Sequence, residues 1–165
     1  MTLLVPMRAE AYAAYKAAEV AAYADEKVRA GMWAEAGALE RSLAEIDSLL
    51  PQGLETPDHH LFEIVATAGG PTVGHLWFAI EDRSGHRGAY VYDVEVLEPF
   101  RRQGHAARAL QALEAIVTSM GLARIALHVS GFNTGAQDLY RQLGFEATGI
   151  SMLKTLGERA ARERS

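Results

Sequence analysis

The chain predicts an α+β fold, with one mixed and mostly antiparallel central sheet flanked by helices. Three observations lead there. Residues 7–50 are rich in alanine and charge, with apolar positions at helical spacing. Residues 61–96 hold three stretches enriched in β-branched and aromatic side chains. From residue 102 onward helix-period and strand-like segments alternate, as β-α-β-α-β units do. A length of 165 residues at 49% apolar content suits one domain over 1–165, divided as 1–55, 60–156 and a charged tail over 157–165.

The elements follow in order. Residues 1–6 make a candidate first strand, and 7–50 read as two helices parted at Gly31. Tyr12, Tyr15, Ala18 and Ala22 share helical spacing, as do Leu39, Leu43, Ile46 and Leu50. Pro51 and Gly53 stop the second helix, because proline cannot continue the hydrogen-bond ladder and glycine accepts the left-handed conformation that closes helices. Strands are expected over 61–67, 73–80 and 89–96, with turns at 69–71 and 82–88. Over 102–120 the residues Ala106, Leu110, Leu113, Val117 and Met120 form one apolar stripe, and Gly121 ends the helix. A strand over 125–129, a helix over 133–143 closed by Gly144 and a last strand region over 145–156 complete the order. The two parallel strands around the 102–120 helix are expected at the centre of the sheet, and the tail over 158–165 is expected to fray.

Composition removes several classes. There is no cysteine, so disulfides, thiolate zinc sites and a cysteine nucleophile are excluded, and a reducing, cytoplasmic setting is expected. No uncharged apolar run approaches membrane-spanning length, so no membrane partner is expected. A formal charge of -5 opposes a broad nucleic-acid face, since duplex affinity depends on neutralising many phosphates together. The cluster of Arg101, Arg102 and Arg108 suits one phosphorylated small molecule instead.

The informative segment runs through 90–107, where Asp93, Val94, Glu95 and Val96 end a strand and Arg101, Arg102, Gln103, Gly104, His105, Ala106 and Ala107 open a helix. The first N–H groups of a helix lack internal partners and carry the positive end of its dipole, so such a turn binds anions. Gly104 and the small Ala106 allow close approach, and the arginines add charge. A nucleotide-binding protein of another class is disfavoured: the Gly-Lys-Ser/Thr ending and magnesium ligands of a Walker loop are missing, and a single glycine does not make a dinucleotide fingerprint. No metal is expected, because His59, His60, His75, His86 and His105 make no His-Glu-x-x-His pattern. Serines lack the Gly-x-Ser-x-Gly context of a hydrolase.

The pattern Arg101-x-x-Gly104-x-Ala106 after a strand ending Val94-Glu95-Val96 resembles the acetyl-CoA signature of GNAT acetyltransferases. Asn133-x-x-Ala136-x-x-x-Tyr140 followed by Leu143-Gly144-Phe145 is similar to that family's other cofactor-side motif. The resemblance covers about 60–156. It implies acetyl-CoA as acyl donor and a primary amine of a small molecule, peptide or protein as acceptor, with residues 1–55 shaping the acceptor side. A homodimer is compatible with it. It also implies a sheet splayed between the strands near 89–96 and 124–129, with a bulge near 93–96. Backbone N–H groups of Val94, Glu95 and Val96 would then hold the pantetheine arm, those of 102–107 the pyrophosphate, and Asn133 and Tyr140 would complete the cofactor side.

Direct attack of an amine on a thioester needs a base, a stabilised oxyanion and a proton for the thiolate. Tyr140 matches the family's proton donor to sulfur, against a reading as a core aromatic beside Leu139 and Leu143. His128 lies five residues before Asn133, where similar ribosomal-protein alanine acetyltransferases carry a glutamate base, and an imidazole titrates near neutrality. It equally fits the outward face of its strand. Asp93 and Glu95 share a strand face and are further candidates for base or for holding a cationic acceptor. His59 and His60 read as a loop or as part of an acceptor entrance, and Tyr12, Tyr15 and Tyr23 as packing or acceptor contacts. A non-catalytic acyl-CoA sensor would keep the same cleft; Tyr140 favours an enzyme.

Overall fold

A computed structural model describes residues 2–157, so the tail expected over 158–165 lies outside the described residues. The elements run β1 (Leu3–Pro6), α1 (Ala9–Arg29), α2 (Ala38–Leu49), β2 (His59–Val65), β3 (Thr72–Arg83), β4 (His86–Val96), α3 (His105–Ser119), β5 (Ile125–Leu127) and α4 (Thr134–Gln142). The sheet order is β1-β2-β3-β4-β5. Each of the first four strands is antiparallel to its neighbour, and β5 joins β4 in parallel.

Both faces of the sheet are apolar, because alternate residues of each central strand serve opposite sides. Leu76, Phe78, Val91 and Ile64 face α3 and meet its buried stripe of Leu110, Leu113 and Val117. Trp77 and Leu61 face the other way, toward Tyr15, Ile46 and Leu50 of the α1–α2 pair. The sheet is thus a layer between two helical coverings.

Several expectations need correction. The parallel pair β4–β5 stands at an edge of the described sheet, not at its centre, because residues 145–156 form no strand that would flank β5. His59 and His60 open β2; the Nδ1 of His59 accepts a hydrogen bond from the Trp77 indole at 3.0 Å, and His60 stacks on Phe78. Leu39 and Leu43 of α2 are exposed, while Ala38 and Ser42 are buried. Small residues let the two helices approach closely, and the Ser42 hydroxyl donates to the Val20 carbonyl at 2.7 Å. On α1 the buried positions are Tyr15 and Ala24, and Ala18 and Ala22 face solvent. Met120, at the end of the α3 stripe, is also exposed.

One ion pair ties the entry of α1 to the sheet. Arg8 forks onto Glu63 of β2, with Nε–Oε2 and Nη2–Oε1 both at 3.0 Å, and Thr72 donates to the same carboxylate at 2.9 Å. The Glu63 side chain is 3% exposed. Hydrogen bonding from Arg8 outweighs desolvation and pushes the Glu63 carboxyl down to about 2. A depressed carboxyl adds stability above its unfolded value, and that stability is lost as pH falls toward the folded one. Arg8→Ala should therefore lower Tm at neutral pH, and the difference from the unaltered chain should shrink as pH is taken from about 4.5 toward about 2. Calorimetry across that range checks it; a pH-independent difference would mean the pair contributes only packing.

Candidate active site

The site begins with a miscount between two strands. Trp77 pairs with Asp93 and Phe78 with Val91, so Tyr92 is an extra residue in β4. The bulge lies one residue before the expected 93–96 stretch. Tyr92 and Asp93 consequently turn toward the α1 side together: Tyr92 stacks on Trp77 with centroids 4.7 Å apart, and Asp93 meets α1. Gly74 permits the close approach beyond it, since a Cβ there would lie 2.1 Å from the Glu95 carbonyl oxygen.

The second determinant is where β5 stops. Its pairing with β4 covers Ala89–Ile125, Tyr90–Ala126 and Val91–Leu127, and β4 continues to Val96. The sheet is therefore parted beyond Val91, as the resemblance implied. Into this parting come polar groups of α1. The Tyr15 hydroxyl donates to Asp93 Oδ2 at 2.9 Å, and Glu19 is hydrogen-bonded to the same carboxyl. Further along α1, Glu26 accepts a hydrogen bond from the buried Ser130 at 2.5 Å.

Burial raises the Asp93 carboxyl well above the usual carboxylate range, with Glu95 and Glu26 adding to the rise and the hydrogen bonds from Tyr15 and Glu19 opposing it. Glu19 is raised further, by burial first and then by the charge of Asp93, Glu95 and Glu26. The pair thus shares a proton: Glu19 retains it and donates to the Asp93 carboxylate. Tyr140 is raised as well, by burial and then by Asp93 and Glu26, and its ring packs edge-on against Phe145 at 5.7 Å.

Beside the parting, α3 starts at His105 after Gly104, whose φ of +81° a side chain would strain. No side chain caps this turn, so its first N–H groups form an anion-binding end. Arg102, at φ +65°, belongs to the preceding turn, and the helix begins three residues later than the apolar stripe predicted.

Several expected residues carry structural duties. Arg101 donates from Nε to the Val96 carbonyl at 2.9 Å and lies 3.9 Å from Glu95. The His105 ring is buried with Nδ1 3.1 Å from the Thr2 hydroxyl, so only its backbone faces the turn. Arg108 is held by Thr2 and the Gln103 carbonyl. Asn133 caps α4, its oxygen accepting from the Ala136 N–H at 3.2 Å. His128 is exposed just past the end of β5. Asp93 and Tyr140 come together; His128 does not join them by any hydrogen bond among the described residues.

Sequence reasoning missed Glu19 and Glu26. A signal was present: Tyr15, Glu19 and Glu26 are four and then seven residues apart, so two carboxyls ride the helix face that carries a buried tyrosine.

The sheet thus parts between two parallel strands, with Tyr140 and the Asp93–Glu19 carboxyls at the opening and the uncapped N-terminus of α3 beside it. The model of the Acetyltransferase (GNAT) family matches residues 13–145. YycN of Bacillus subtilis (strain 168), an uncharacterized N-acetyltransferase, is 39% identical over 154 residues, spanning 93% of this chain and 98% of its own. YdgE of the same organism, also an uncharacterized N-acetyltransferase, is 31% identical over 153 residues, spanning 93% and 97%. The crystal structure of YycN superposes with a TM-score of 0.90 over 96% of this chain and 100% of that one, at 39% identity. AAC(6′)-Iy, in complex with a bisubstrate analog, shares the fold at a TM-score of 0.61 and 18% identity, over 95% of this chain and 99% of that one. The chain belongs to the GNAT family of N-acetyltransferases, which implies acetyl-CoA as acyl donor and an amine as acceptor. Among the described residues no helix is long and apolar enough to cross a membrane.

A raised carboxyl binds its proton more tightly in the folded chain, so its contribution to stability is complete below the unfolded value and is lost as pH rises through the folded one. Glu19→Gln keeps a donor for Asp93 and removes that titration. Thermal melts from pH 5 to pH 9 should then decline less steeply than those of the unaltered chain; parallel curves would mean Glu19 ionises normally.

Proposed function

We infer that this enzyme acetylates a primary amine carried on a cationic acceptor, by direct attack, with Asp93 as the base and Tyr140 as the acid. The observation that carries this reading is the Asp93 carboxylate at the parting, held by Tyr15 and Glu19 and raised toward neutrality. An ordinary carboxylate is too weak a base to deprotonate an amine near neutral pH, and burial corrects that.

Acetyl-CoA supplies a thioester carbonyl; the amine nitrogen bonds to its carbon and the carbon–sulfur bond breaks. Asp93 accepts the proton that the nitrogen sheds, and Tyr140 gives one to the departing sulfur and regains it from solvent. The backbone of Val94, Glu95 and Val96, freed from β5, is available to the pantetheine arm. N–H groups over 102–107, with Arg101 and Arg102, suit the pyrophosphate, and Asn133 lies at the neighbouring start of α4. Glu26, Asp93 and Glu95, beside a protonated Glu19, give the opening a negative lining, which suits a polyamine, an aminoglycoside or a lysine-bearing peptide. In this reading His128, exposed past the end of β5, takes no part in the proton path.

Gly104→Glu should abolish acetyl-CoA binding, because it strains a left-handed position and sets a carboxylate at the phosphate end; calorimetric titration of the folded variant with unchanged affinity would move the cofactor elsewhere. Asp93→Asn should lower kcat by about 10²–10⁴-fold and erase the acidic limb of the kcat profile. Tyr140→Phe should bind CoA nearly as well and turn over more slowly, by a similar factor. Kinetics with an amine panel at several pH values, with CoA affinity measured alongside, decides both roles; a retained limb in Asp93→Asn would transfer the base to another group.

A further inference from the structure

The sheet face onto which Asp93 turns carries, further along, a cation site that is already filled. Pairing sets Trp77 opposite Asp93, Ala79 opposite Tyr90 and Glu81 opposite Gly88, so Trp77, Glu81, Arg83 and Tyr90 present their side chains on that one face. There the Arg83 guanidinium lies over the Tyr90 ring, its central carbon 3.6 Å from the centroid. Its Nε and Nη2 each stand 2.9 Å from Glu81 Oε2. Tyr92 donates its hydroxyl to the other Glu81 oxygen and stacks on Trp77, which fixes the carboxylate. A ring beneath and a held carboxylate beside are the two contacts that a guanidinium takes well.

The occupant is held more loosely than the site. Arg83 is the last residue of β3, and its side chain is 53% exposed against 25% for Glu81. An exposed ion pair contributes little, because fixing a long side chain costs entropy and water screens the charges. The Arg83 side chain can therefore swing into water without moving the strand. Beside it lies a cavity of about 60 Å³ whose lining includes Glu81, Arg83, Tyr90, Arg124 and Ala126. Burial raises the Tyr90 phenol and Arg83 opposes the rise, while the charges of Glu81 and Glu26 add to it, so the ring lies in the field of both carboxylates. With Arg83 withdrawn, those two carboxylates outnumber Arg124.

We propose that Tyr90 and Glu81 form a second acceptor subsite, which takes a guanidinium borne on the same molecule as the reacting amine, and that Arg83 occupies it until such an acceptor displaces it. This deepens the reading above and rests on its placing the amine at Asp93. Two to four residues of β3 separate Trp77, opposite Asp93, from Ala79 and Glu81, a span of about 7–13 Å that an extended chain of about five to ten carbons covers. A peptide with an arginine close to its reacting amine carries this chemistry. An acceptor held at both ends gains by linkage, so the second contact tightens binding without touching the reacting atoms.

The test uses the full chain loaded with CoA and two probe series of matched length, alkylamines and ω-guanidinoalkylamines, with chains of about two to ten carbons. Titration calorimetry reads Kd, so the result does not depend on which group is the base. From about six carbons upward the guanidino probe should bind about tenfold more tightly than the alkylamine, and at about two carbons the gain should vanish. Glu81→Gln keeps an oxygen for Tyr92 and should bring the ratio of the two affinities close to one. Arg83→Ala should raise that ratio severalfold, because the internal occupant is gone. Equal binding of the two series, a gain that persists in the shortest probes, failure of every probe to bind, or a ratio unmoved in either variant would each overturn the subsite. The expected ratios beside an Asp93→Asn enzyme that keeps its acidic limb would instead retain the subsite and remove Asp93 as the base.

Discussion

The rest of the site depends on the extra residue that Tyr92 inserts into β4. Without it, Asp93 would fall on the α3 side of the sheet, among Leu76, Phe78 and Val91, where an ionised carboxyl has no partner. With it, Asp93 turns to α1 and finds Tyr15. The same irregularity increases local twist, and β4 and β5 part company beyond Val91 and Leu127. One added residue therefore sets both the parting of the sheet and the carboxyl that faces it.

Placing carboxyls in so small a space is costly, and α1 supplies the compensation. Tyr15 gives Asp93 a hydrogen bond, Glu19 keeps a proton to share, and Ser130 satisfies Glu26. The outcome is a carboxyl pair whose proton affinity is tuned by neighbours, built on rigid elements on both sides. That rigidity in turn depends on the two apolar coverings: Leu110 and Leu113 fix α3 and its uncapped turn, and Ile46, Leu50 and Trp77 fix α1 and its polar face.

Much of this was legible in the chain. The helices, the meander and the turn at Gly104 followed from apolar period, from β-branched content and from stop residues, all local signals. The two motifs around Gly104 and Tyr140 pointed to the family before any geometry was known. Asp93 was among the candidate residues, but nothing local distinguished its carboxyl from that of Glu95, because a raised proton affinity is made by burial and by neighbours distant in sequence. Tyr15 lies 78 residues from Asp93, and only the fold brings them to hydrogen-bonding distance.

The sequence by itself determined the class of fold, the order of elements as far as α4 and the family, because each rests on spacing along the chain. Tertiary structure decided which face Asp93 takes, that Asn133 and Arg101 spend bonding capacity on the backbone, that Leu39 and Leu43 stay in water, and that residues 145–156 form no strand beside β5. The physical reason is common to these cases. A side chain's face, partners and proton affinity are set by what packs against it, and those neighbours come from elements that sequence order does not place.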